Sequence, residues 1–273
     1  MKEALLAKNQ HYSWQKLTGC AIKIIAVITM LIDHVAASLI EPRFGWIDAN
    51  VSWLPAGALT VDHVMRYIGR IAFPIYCFLI IEGMTHTRSR FKYARNMLIF
   101  ALISEVPFDM AFLGSCMDWS HQNVFWTLLL GVLAVWGLQY TDENCRKVSN
   151  TVNPDGSVTK TPGGYTGKGI AIRLLSTFGT MAVALLFRTD YNLMGVAAIL
   201  VLYLLRDRQI LQCIVGALFF FFCVESYWTV FIPFAILLFY NGKRGRQFKY
   251  FFYGFYPVHL LILGILNVLV LPM

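Results

Sequence analysis

Long apolar runs separated by short polar segments dominate the chain. Such runs predict transmembrane helices, because about 20 apolar residues at a rise of about 1.5 Å each cross a hydrocarbon core of about 30 Å. The pattern predicts an all-α polytopic membrane protein with about nine spans in a single domain, residues 1–273. The predicted spans are 20–40, 68–85, 95–113, 123–139, 170–187, 191–205, 210–224, 228–240 and 252–271.

Two further segments interrupt this pattern. Residues 51–67 are apolar but broken by polar positions, which fits either an amphipathic surface helix or a re-entrant segment. Residues 141–169 contain the stretch TVNPDGSVTKTPGGYTGKG, which is rich in Gly, Thr and Pro. This composition predicts a flexible cytoplasmic loop that divides four spans from five.

The distribution of Lys and Arg predicts the orientation, because short cytoplasmic loops carry an excess of both. With the N-terminus in the cytoplasm, 18 of the 23 Lys and Arg residues fall in inner segments, and only Arg43 and Arg188 fall in outer loops. The chain is therefore predicted to be a multi-pass protein of the cell membrane, embedded in the lipid bilayer with its C-terminus outside. This topology also accounts for the net charge of +8, so no nucleic-acid partner is predicted.

Composition supports the same class of protein. Hydrophobic residues make up 58% of the chain and charged residues only 14%, which excludes an ordinary soluble domain. The first apolar run is too long for a cleavable signal peptide and has no small-residue cleavage site after it. The six cysteines are scattered and are interpreted as packing residues. No His, Cys or carboxylate set has the spacing of a zinc site, so no metal is predicted.

The first span, residues 22–40, contains three polar residues that are costly in a membrane: Lys23, Asp33 and His34. A charge at the centre of a membrane helix costs about 2.5–3.5 kcal/mol, so these side chains need a protein-lined or watery environment. Lys23 and His34 are 11 residues apart, which places them on one stripe of a helix about 16 Å apart. Asp33 points about 100° away and is expected to meet another helix. The stripe predicts a channel with a cation near its inner end and a base in its outer half.

A second polar group lies at the start of the second span. Arg66 and Arg70 are four residues apart and share a helix face that Asp62 continues. They are interpreted as an anion site at the outer end of the span, with an interfacial cluster of ion pairs as the alternative. Pro74 is expected to kink or open the span nearby.

Three more polar residues lie in apolar runs. Glu105 and Asp109 flank Pro107 at a spacing of four and need partners, for which Arg70, Lys23 and His34 are the candidates. We interpret the two carboxylates as part of a buried structural or catalytic network. His259, behind Pro257 in the last span, is assigned to the donor site, with hydrogen-bonded packing as the alternative.

Five ordered blocks of the chain form a recognisable set: KIIAVITMLIDHVA, IGRIAFPIYCFLIIEGMTHTRSRFKYARNMLIFALISEVPFDMAF, NVFWTLLLGVLAVW, DYNLMGVAAILVLYLLR and FYPVHLLIL. Together they resemble the TraX family of membrane proteins. The likeness runs from about Leu17 to Leu263, with the loop 141–169 outside it. Founding members of that family are associated with acetylation of the pilin N-terminus. The blocks are also similar in pattern to membrane acyltransferases that use cytosolic acetyl-CoA.

The resemblance implies functional positions. Those acyltransferases have an inward basic residue, a His eleven residues later and a downstream pair of arginines. The matching positions here are Lys23, His34, and Arg66 with Arg70. The chain departs from the pattern in two respects: the basic residue is Lys instead of Arg, and the arginines are four residues apart instead of three. The implied donor is acetyl-CoA, and the acceptor is an amine, a sugar or a lipid-linked glycan.

Acyl transfer needs a base or covalent nucleophile and a group that stabilises the oxyanion. His34, oriented by a carboxylate, suits the role of base or acyl carrier, with Asp33, Glu105 and Asp109 as further catalytic candidates. Cations of the loop before the third span are expected to bind the nucleotide of acetyl-CoA, together with those named above. These cations are Arg88, Arg90, Lys92 and Arg95.

Two other functional classes are compatible with the sequence. A proton-coupled transporter could use Asp33, His34, Glu105 and Asp109 as a relay, although no internal repeat of the transporter type is visible. A membrane scaffold without enzymatic activity would need none of these charges at fixed positions. The sequence leaves the oligomeric state open, including a homo-oligomer.

Overall fold

The computed structural model describes residues 13–44, 56–152, 158–225, 227–246 and 248–267. Within these ranges the chain folds into helices joined by short connections and one β-hairpin, which confirms a mostly helical protein. The helices are α1 (Gly19–Ile40), α2 (Ala56–Gly69), α3 (Ala72–His86), α4 (Arg90–Phe112), α5 (Val124–Asn144), α6 (Gly167–Leu186), α7 (Asn192–Leu204), α8 (Gln209–Val224), α9 (Trp228–Leu238) and α10 (Lys249–Ile265). The hairpin strands are β1 (Arg146–Val152) and β2 (Val158–Tyr165).

Four helical stretches of the described chain are long and apolar enough to cross a membrane. They are α1, the stretch Val61–His86 that joins α2 to α3, α5 and α6. The apolar helices α7 to α10 are shorter. Helix α4 has 23 residues but carries more charge than the other long helices. The number of spans and the sides of the two termini stay predictions.

The outer surface of the bundle is apolar. Large hydrophobic side chains point away from the protein along several helices, with Leu186 exposed by 78% and Phe222 by 73%. Such a surface is unfavourable in water and is typical of helices that contact lipid. Helix α6 has the most exposed apolar surface of the four long stretches, because few of its residues are buried in the protein.

Polar side chains fix where four helices begin. The side chains of Thr18, Ser89, Asn123 and Thr166 accept hydrogen bonds from backbone N–H groups in the first turns of α1, α4, α5 and α6. Ser, Thr and Asn suit this position because their side-chain oxygens satisfy N–H groups that have no partner inside the helix. These caps set the ends of the elements that carry the site.

The stretch from α2 to α3 is interrupted at Arg70 and Ile71. Both residues form a turn, and α3 resumes at Ala72 with Pro74 in its first turn. A proline lacks the N–H that would continue the hydrogen-bond ladder, so the break lies where the sequence analysis expected an opening near Pro74. It separates the two arginines of the predicted anion site from the rest of the span.

The core of the bundle is formed by α5 and its neighbours. Helix α5 packs against α3, α4, α6 and α7, and Gly131 allows close contact with Ile199 of α7. Helices α4 and α10 also pack closely, because Gly264 lies against the backbone of α4 at Met110 and Ala111. These contacts fix α1, α3, α4, α5 and α10 around the two sites described below.

Two segments differ from the sequence expectations. The predicted loop 141–169 contains an antiparallel hairpin in which Asn150 pairs with Lys160 and Thr151 with Thr159. Val and Thr residues in both strands favour this pairing, which the Gly and Pro content concealed. Of the segment 51–67, residues 51–55 lie outside the described residues, and the remainder is helical in α2, against α1.

Candidate functional site

A cavity of about 680 Å³ lies at the end of the bundle where α1 and α4 begin and α3 ends. This volume is within the range of small-molecule sites, about 300–1,000 Å³. Its apolar part is formed by Val27, Leu79, Ile80, Met97 and Leu128. The polar and aromatic lining residues are Lys23, Tyr76, Glu82, His86, Thr87, Arg88, Ser89, Lys92, Tyr93, Asn96, Phe125, Tyr240, Arg244, Arg246, Phe248, Phe252 and Tyr253.

Five cations line this cavity without a carboxylate partner among the described residues: Lys23, Arg88, Lys92, Arg244 and Arg246. The ammonium of Lys23 lies 5.7 Å from the ring centre of Phe252. Unpaired cations converging on one cavity are a favourable environment for a polyanionic ligand.

The cavity contains one carboxylate, Glu82, which accepts a hydrogen bond of 2.9 Å from the Tyr240 hydroxyl. His86, one helical turn after Glu82, also lines the cavity. The balance of charge in the cavity is therefore strongly positive.

The loop before α10 is held against the start of α1 by backbone hydrogen bonds. The N–H of Gly19 donates to the carbonyl of Lys243 at 2.8 Å, and that of Cys20 donates to Arg244 at 2.9 Å. These bonds satisfy N–H groups that the first turn of a helix leaves free. Gly245 has φ +71° and allows the loop to turn beside Thr18. The loop thereby brings Arg244 and Arg246 to the cavity that Lys23 lines.

His34 lies on the same helix as Lys23, three turns further along α1. At 1.5 Å per residue the two are about 16 Å apart, as the sequence predicted. The half-buried His34 ring is surrounded by the rings of Phe112, Tyr256 and His259, with centre-to-centre distances of 5.3, 5.8 and 5.0 Å. Its Nδ1 is 2.7 Å from Nε2 of His259. Among the described residues, the hydrogen-bond partner of His34 is therefore a second histidine and not the predicted carboxylate.

A layer of aromatic rings separates His34 from the cavity. Phe125 is part of the cavity wall, and Tyr256 packs edge-on against it with ring centres 4.9 Å apart. Tyr256 also packs edge-on against His34. The innermost cavity residue on α1 is Val27, about 10 Å short of His34 by helix rise. The predicted channel is therefore a cavity that ends at this layer.

Asp33 meets another helix, as expected from its position on α1. Its Oδ2 is 2.9 Å from Nη1 of Arg66 on α2, and Nε of Arg66 is 3.5 Å from Glu41. Gly69 permits the close approach, because a Cβ at that position would overlap the Asp33 side chain. The α-helix gives way to a π-helical turn at Ala36–Ile40, directly after this region. Such turns are frequent at functional sites.

Arg70 forms a second ion pair, with its Nη1 2.7 Å from Oε1 of Glu225. Its guanidinium also lies 5.2 Å from the ring centre of Tyr227. Both arginines of the predicted anion site are therefore bound to carboxylates, which corresponds to the alternative interpretation, a cluster of ion pairs. Neither arginine lines the cavity.

Arg70→Ala is expected to lower the free energy of unfolding by about 3–5 kcal/mol, because it leaves the buried Glu225 carboxylate, 7% exposed, without its partner. Arg90→Ala is the matched control: its ion pair with Glu143 is more exposed, at 28% and 53%, and is worth at most about 1 kcal/mol. Thermal unfolding of both variants in the same detergent measures the difference. Equal melting temperatures would contradict the structural role of the Arg70 pair.

The carboxylates of α4 have partners other than those predicted. Glu105 accepts hydrogen bonds from Asn123 and from the Trp126 indole, the latter at 2.7 Å. Asp109 accepts from the backbone N–H of Asp118 at 2.8 Å. Arg70, Lys23 and His34 contact neither carboxylate among the described residues. These bonds join α4 to α5 and to the following loop, so both carboxylates have structural partners.

The structure places some of the predicted donor-site residues in the cavity and others outside it. Lys23, Arg88 and Lys92 line the cavity, whereas Arg90 forms an ion pair with Glu143 outside it. His259 lies against His34 instead of in the cavity lining. Arg244 and Arg246 were not predicted as site residues, because the membrane topology already accounted for the positive charge of their loop.

The described residues hold no group of three or more His, Cys or carboxylate side chains placed to bind a metal.

Comparison with known proteins adds two findings. The model of a family described as "TraX protein" matches residues 18–267. The chain is 27% identical over 259 residues to the "Probable fimbrial assembly protein FimC, serogroup H1" of Dichelobacter nodosus, covering 89% of this chain and 92% of that protein. No solved structure shows significant similarity to the chain.

Proposed function

The chain belongs to the TraX family, and on this premise we propose that it is an integral membrane acetyltransferase. It would move an acetyl group from acetyl-CoA to an amine or hydroxyl acceptor at or across the membrane. The observation that carries this proposal is the arrangement of α1, which places Lys23 in a cationic cavity and His34 three turns further along the helix.

The cavity suits acetyl-CoA as the donor. The five cavity cations, which have no carboxylate partner in the described part of the chain, match the phosphates of its nucleotide part, since cations and phosphate oxygens form strong charge-assisted hydrogen bonds. The apolar stretch at Val27, Leu79 and Leu128 suits the long pantetheine arm. Displacement of the Tyr256 ring would then bring the thioester from the inner end of the cavity to His34.

His34 acts as base or acyl carrier in this proposal. As a base, its ring nitrogen takes the proton of the acceptor while the acceptor attacks the thioester carbonyl. The C–S bond then breaks, and the leaving thiolate of CoA takes up the proton. As an acyl carrier, the same nitrogen would attack the thioester carbonyl, and the C–S bond would break to release CoA as its thiolate. The acceptor would then attack the acyl-imidazole, its proton passing to the CoA thiolate as the C–N bond to the imidazole breaks.

The acceptor is proposed to be a protein N-terminus or a glycan. The relative from Dichelobacter nodosus is named for fimbrial assembly, which favours a protein subunit of a surface fibre as the acceptor. An N-terminal amine fits the chemistry above. Once a base removes a proton from its ammonium form, the neutral amine is a good nucleophile towards a thioester.

A transporter that relays protons is less well supported. Among the described residues, no hydrogen bond or ion pair joins Asp33, His34, Glu105 and Asp109 to one another. Asp33 is bound to an arginine, and the other two carboxylates have the partners described above. A relay needs neighbouring groups that exchange protons, and this arrangement does not provide them.

Purified protein should bind acetyl-CoA saturably and be stabilised by it. A ligand that binds only the folded state adds RT ln(1 + [L]/Kd), so the melting temperature should rise with donor concentration. Hydrolysis of acetyl-CoA, or transfer to added amines, should saturate over the same range. A melting temperature that is unchanged at millimolar acetyl-CoA would contradict the acetyltransferase proposal. The transporter and the scaffold would then be the remaining functions.

We further propose that the chain has nine spans, with the N-terminus in the cytoplasm and the C-terminus outside. The cavity would open to the cytoplasm. The excess of Lys and Arg in alternate loops supports this topology. Segments 86–95, 141–169 and 242–250 would be cytoplasmic, and 41–50 and 114–122 external; residues 45–50 lie outside the described residues.

Cysteine labelling of intact cells tests this topology. Cys116, an exposed cysteine of the loop 114–122, should react with an impermeant maleimide from outside. In a background with Cys116→Ser and Cys223→Ser, which removes the two exposed cysteines of the described residues, Lys92→Cys should react only after the cells are permeabilised, because the cavity it lines would open to the cytoplasm. Labelling of Lys92→Cys in intact cells would overturn the nine-span arrangement.

A further inference from the structure

Two histidines from the first and last described helices form a hydrogen-bonded pair. Nδ1 of His34 on α1 is 2.7 Å from Nε2 of His259 on α10, and the two ring planes are 11° apart. The other ring nitrogen of His259, Nδ1, is 2.7 Å from the backbone carbonyl oxygen of Phe255. His259 is 6% exposed, so water has little access to its ring.

The chain of contacts fixes the position of each proton. A backbone carbonyl oxygen only accepts hydrogen bonds, so Nδ1 of His259 must carry the proton that it donates to Phe255. In the neutral ring the remaining nitrogen, Nε2, is then an acceptor. The proton between the two rings must therefore belong to Nδ1 of His34, and Nε2 of His34 keeps its lone pair.

We propose that His259 is a positioning residue that holds His34 in the Nδ1–H tautomer, with Nε2 of His34 available to the reacting groups. The proposal deepens the proposed function: it adds a residue that acts through His34 and does not itself touch the substrate. The geometry parallels that of other catalytic histidines, whose reactive nitrogen is set by the bond that the other nitrogen makes.

The surroundings support an orienting role for His259. The remaining ring contacts of His34 are the aromatic rings of Phe112 and Tyr256, and no carboxylate contacts it among the described residues. The lone pair of His259 would also stabilise the cation that His34 becomes after it takes up a proton. Helix packing fixes the pair, since α10 lies along both α1 and α4.

Nitrogen NMR of full-length protein in detergent, with ¹⁵N-labelled histidine, tests the tautomer without any enzyme assay. The His34 signals are identified by their loss in His34→Gln. In the unmodified protein we expect Nδ1 to be protonated and Nε2 to be bare. In His259→Ala we expect a shift towards the Nε2–H form, which histidine favours in water. Protonated Nε2 in the neutral ring of the unmodified protein, or no change in His259→Ala, would overturn the proposal.

Kinetics provide the second measurement. His259→Ala should lower kcat by about 10–100-fold, the usual range for loss of an orienting partner, at an unchanged KM for acetyl-CoA. His259→Gln should recover most of kcat, because its side-chain oxygen can accept from Nδ1 of His34. His63→Ala, an exposed histidine of α2, is the control and should have unchanged kcat. A rise in KM with constant kcat, or no recovery in His259→Gln, would contradict positioning.

The two measurements separate this proposal from the proposed function. If the purified protein transfers no acetyl group, the proposed acetyltransferase function is wrong. The NMR result still decides whether His259 sets the tautomer of His34. If transfer occurs and the tautomer is independent of His259, only the positioning role is wrong.

Discussion

His34→Ala is expected to reduce acetyl transfer by about 10²–10⁴-fold, the usual effect of removing a general base. Donor binding should persist, because the unpaired cations of the cavity lie at the other end of α1, about 16 Å away by helix rise. Initial rates at saturating acetyl-CoA measure the first effect, and thermal stabilisation by acetyl-CoA measures the second.

Two variants sharpen this test. Asp33→Asn should cost less than His34→Ala, since it weakens the pair with Arg66 but leaves the imidazole in place. His34→Gln keeps a polar side chain of similar size and can still hydrogen-bond to His259. A folded His34→Gln protein that binds the donor and transfers acetyl groups at near-normal rates would end the catalytic assignment.

Neutralising the cavity should have the largest effect on donor binding. Each lost charge-assisted hydrogen bond to a phosphate costs about 1.5–3 kcal/mol, so Arg88→Gln, Lys92→Gln and Arg244→Gln together should weaken acetyl-CoA binding by at least about 10³-fold. At an acetyl-CoA concentration of about 100 times the original Kd, stabilisation by the ligand should fall from about 2.7 kcal/mol to about 0.1 kcal/mol or less. Thermal unfolding with and without acetyl-CoA measures it.

The structure also provides a matched control for this experiment. Arg90 and Arg146 belong to the same end of the bundle but are bound to Glu143 and Asp142 outside the cavity. The double variant Arg90→Gln and Arg146→Gln removes charge while leaving the cavity cations in place. Equal loss of ligand stabilisation in both sets would indicate a general charge effect and remove the cavity from the donor site.

The apolar pattern predicted the helices better than their ends or the connections between them. The length of the apolar runs was sufficient to predict α1, α5 and α6, because a bilayer imposes a minimum length on any helix that crosses it. The break at Arg70 was expected near Pro74, since the missing N–H of proline acts locally. The hairpin in 141–169 was missed because the Gly and Pro residues in and between its strands are typical of a loop.

The candidate site was predicted best along single helices. The spacing of Lys23 and His34 on α1 is helix geometry, and it placed one residue in the cavity and the other beyond it. Partners from other helices could not be deduced in this way. His259 is 225 residues from His34, and Glu225 is 155 residues from Arg70. Which side chains meet across helices is determined by packing, so the histidine pair required the structure.

The aromatic layer formed by Phe125 and Tyr256 has a consequence for the membrane itself. A continuous water path from the cationic cavity past His34 to the opposite face would let protons flow down the electrochemical gradient. In the proposed topology, the packed rings at the end of the cavity would close this path and still leave a polar site at each end of α1. The protein would then not drain the proton-motive force of the membrane that holds it.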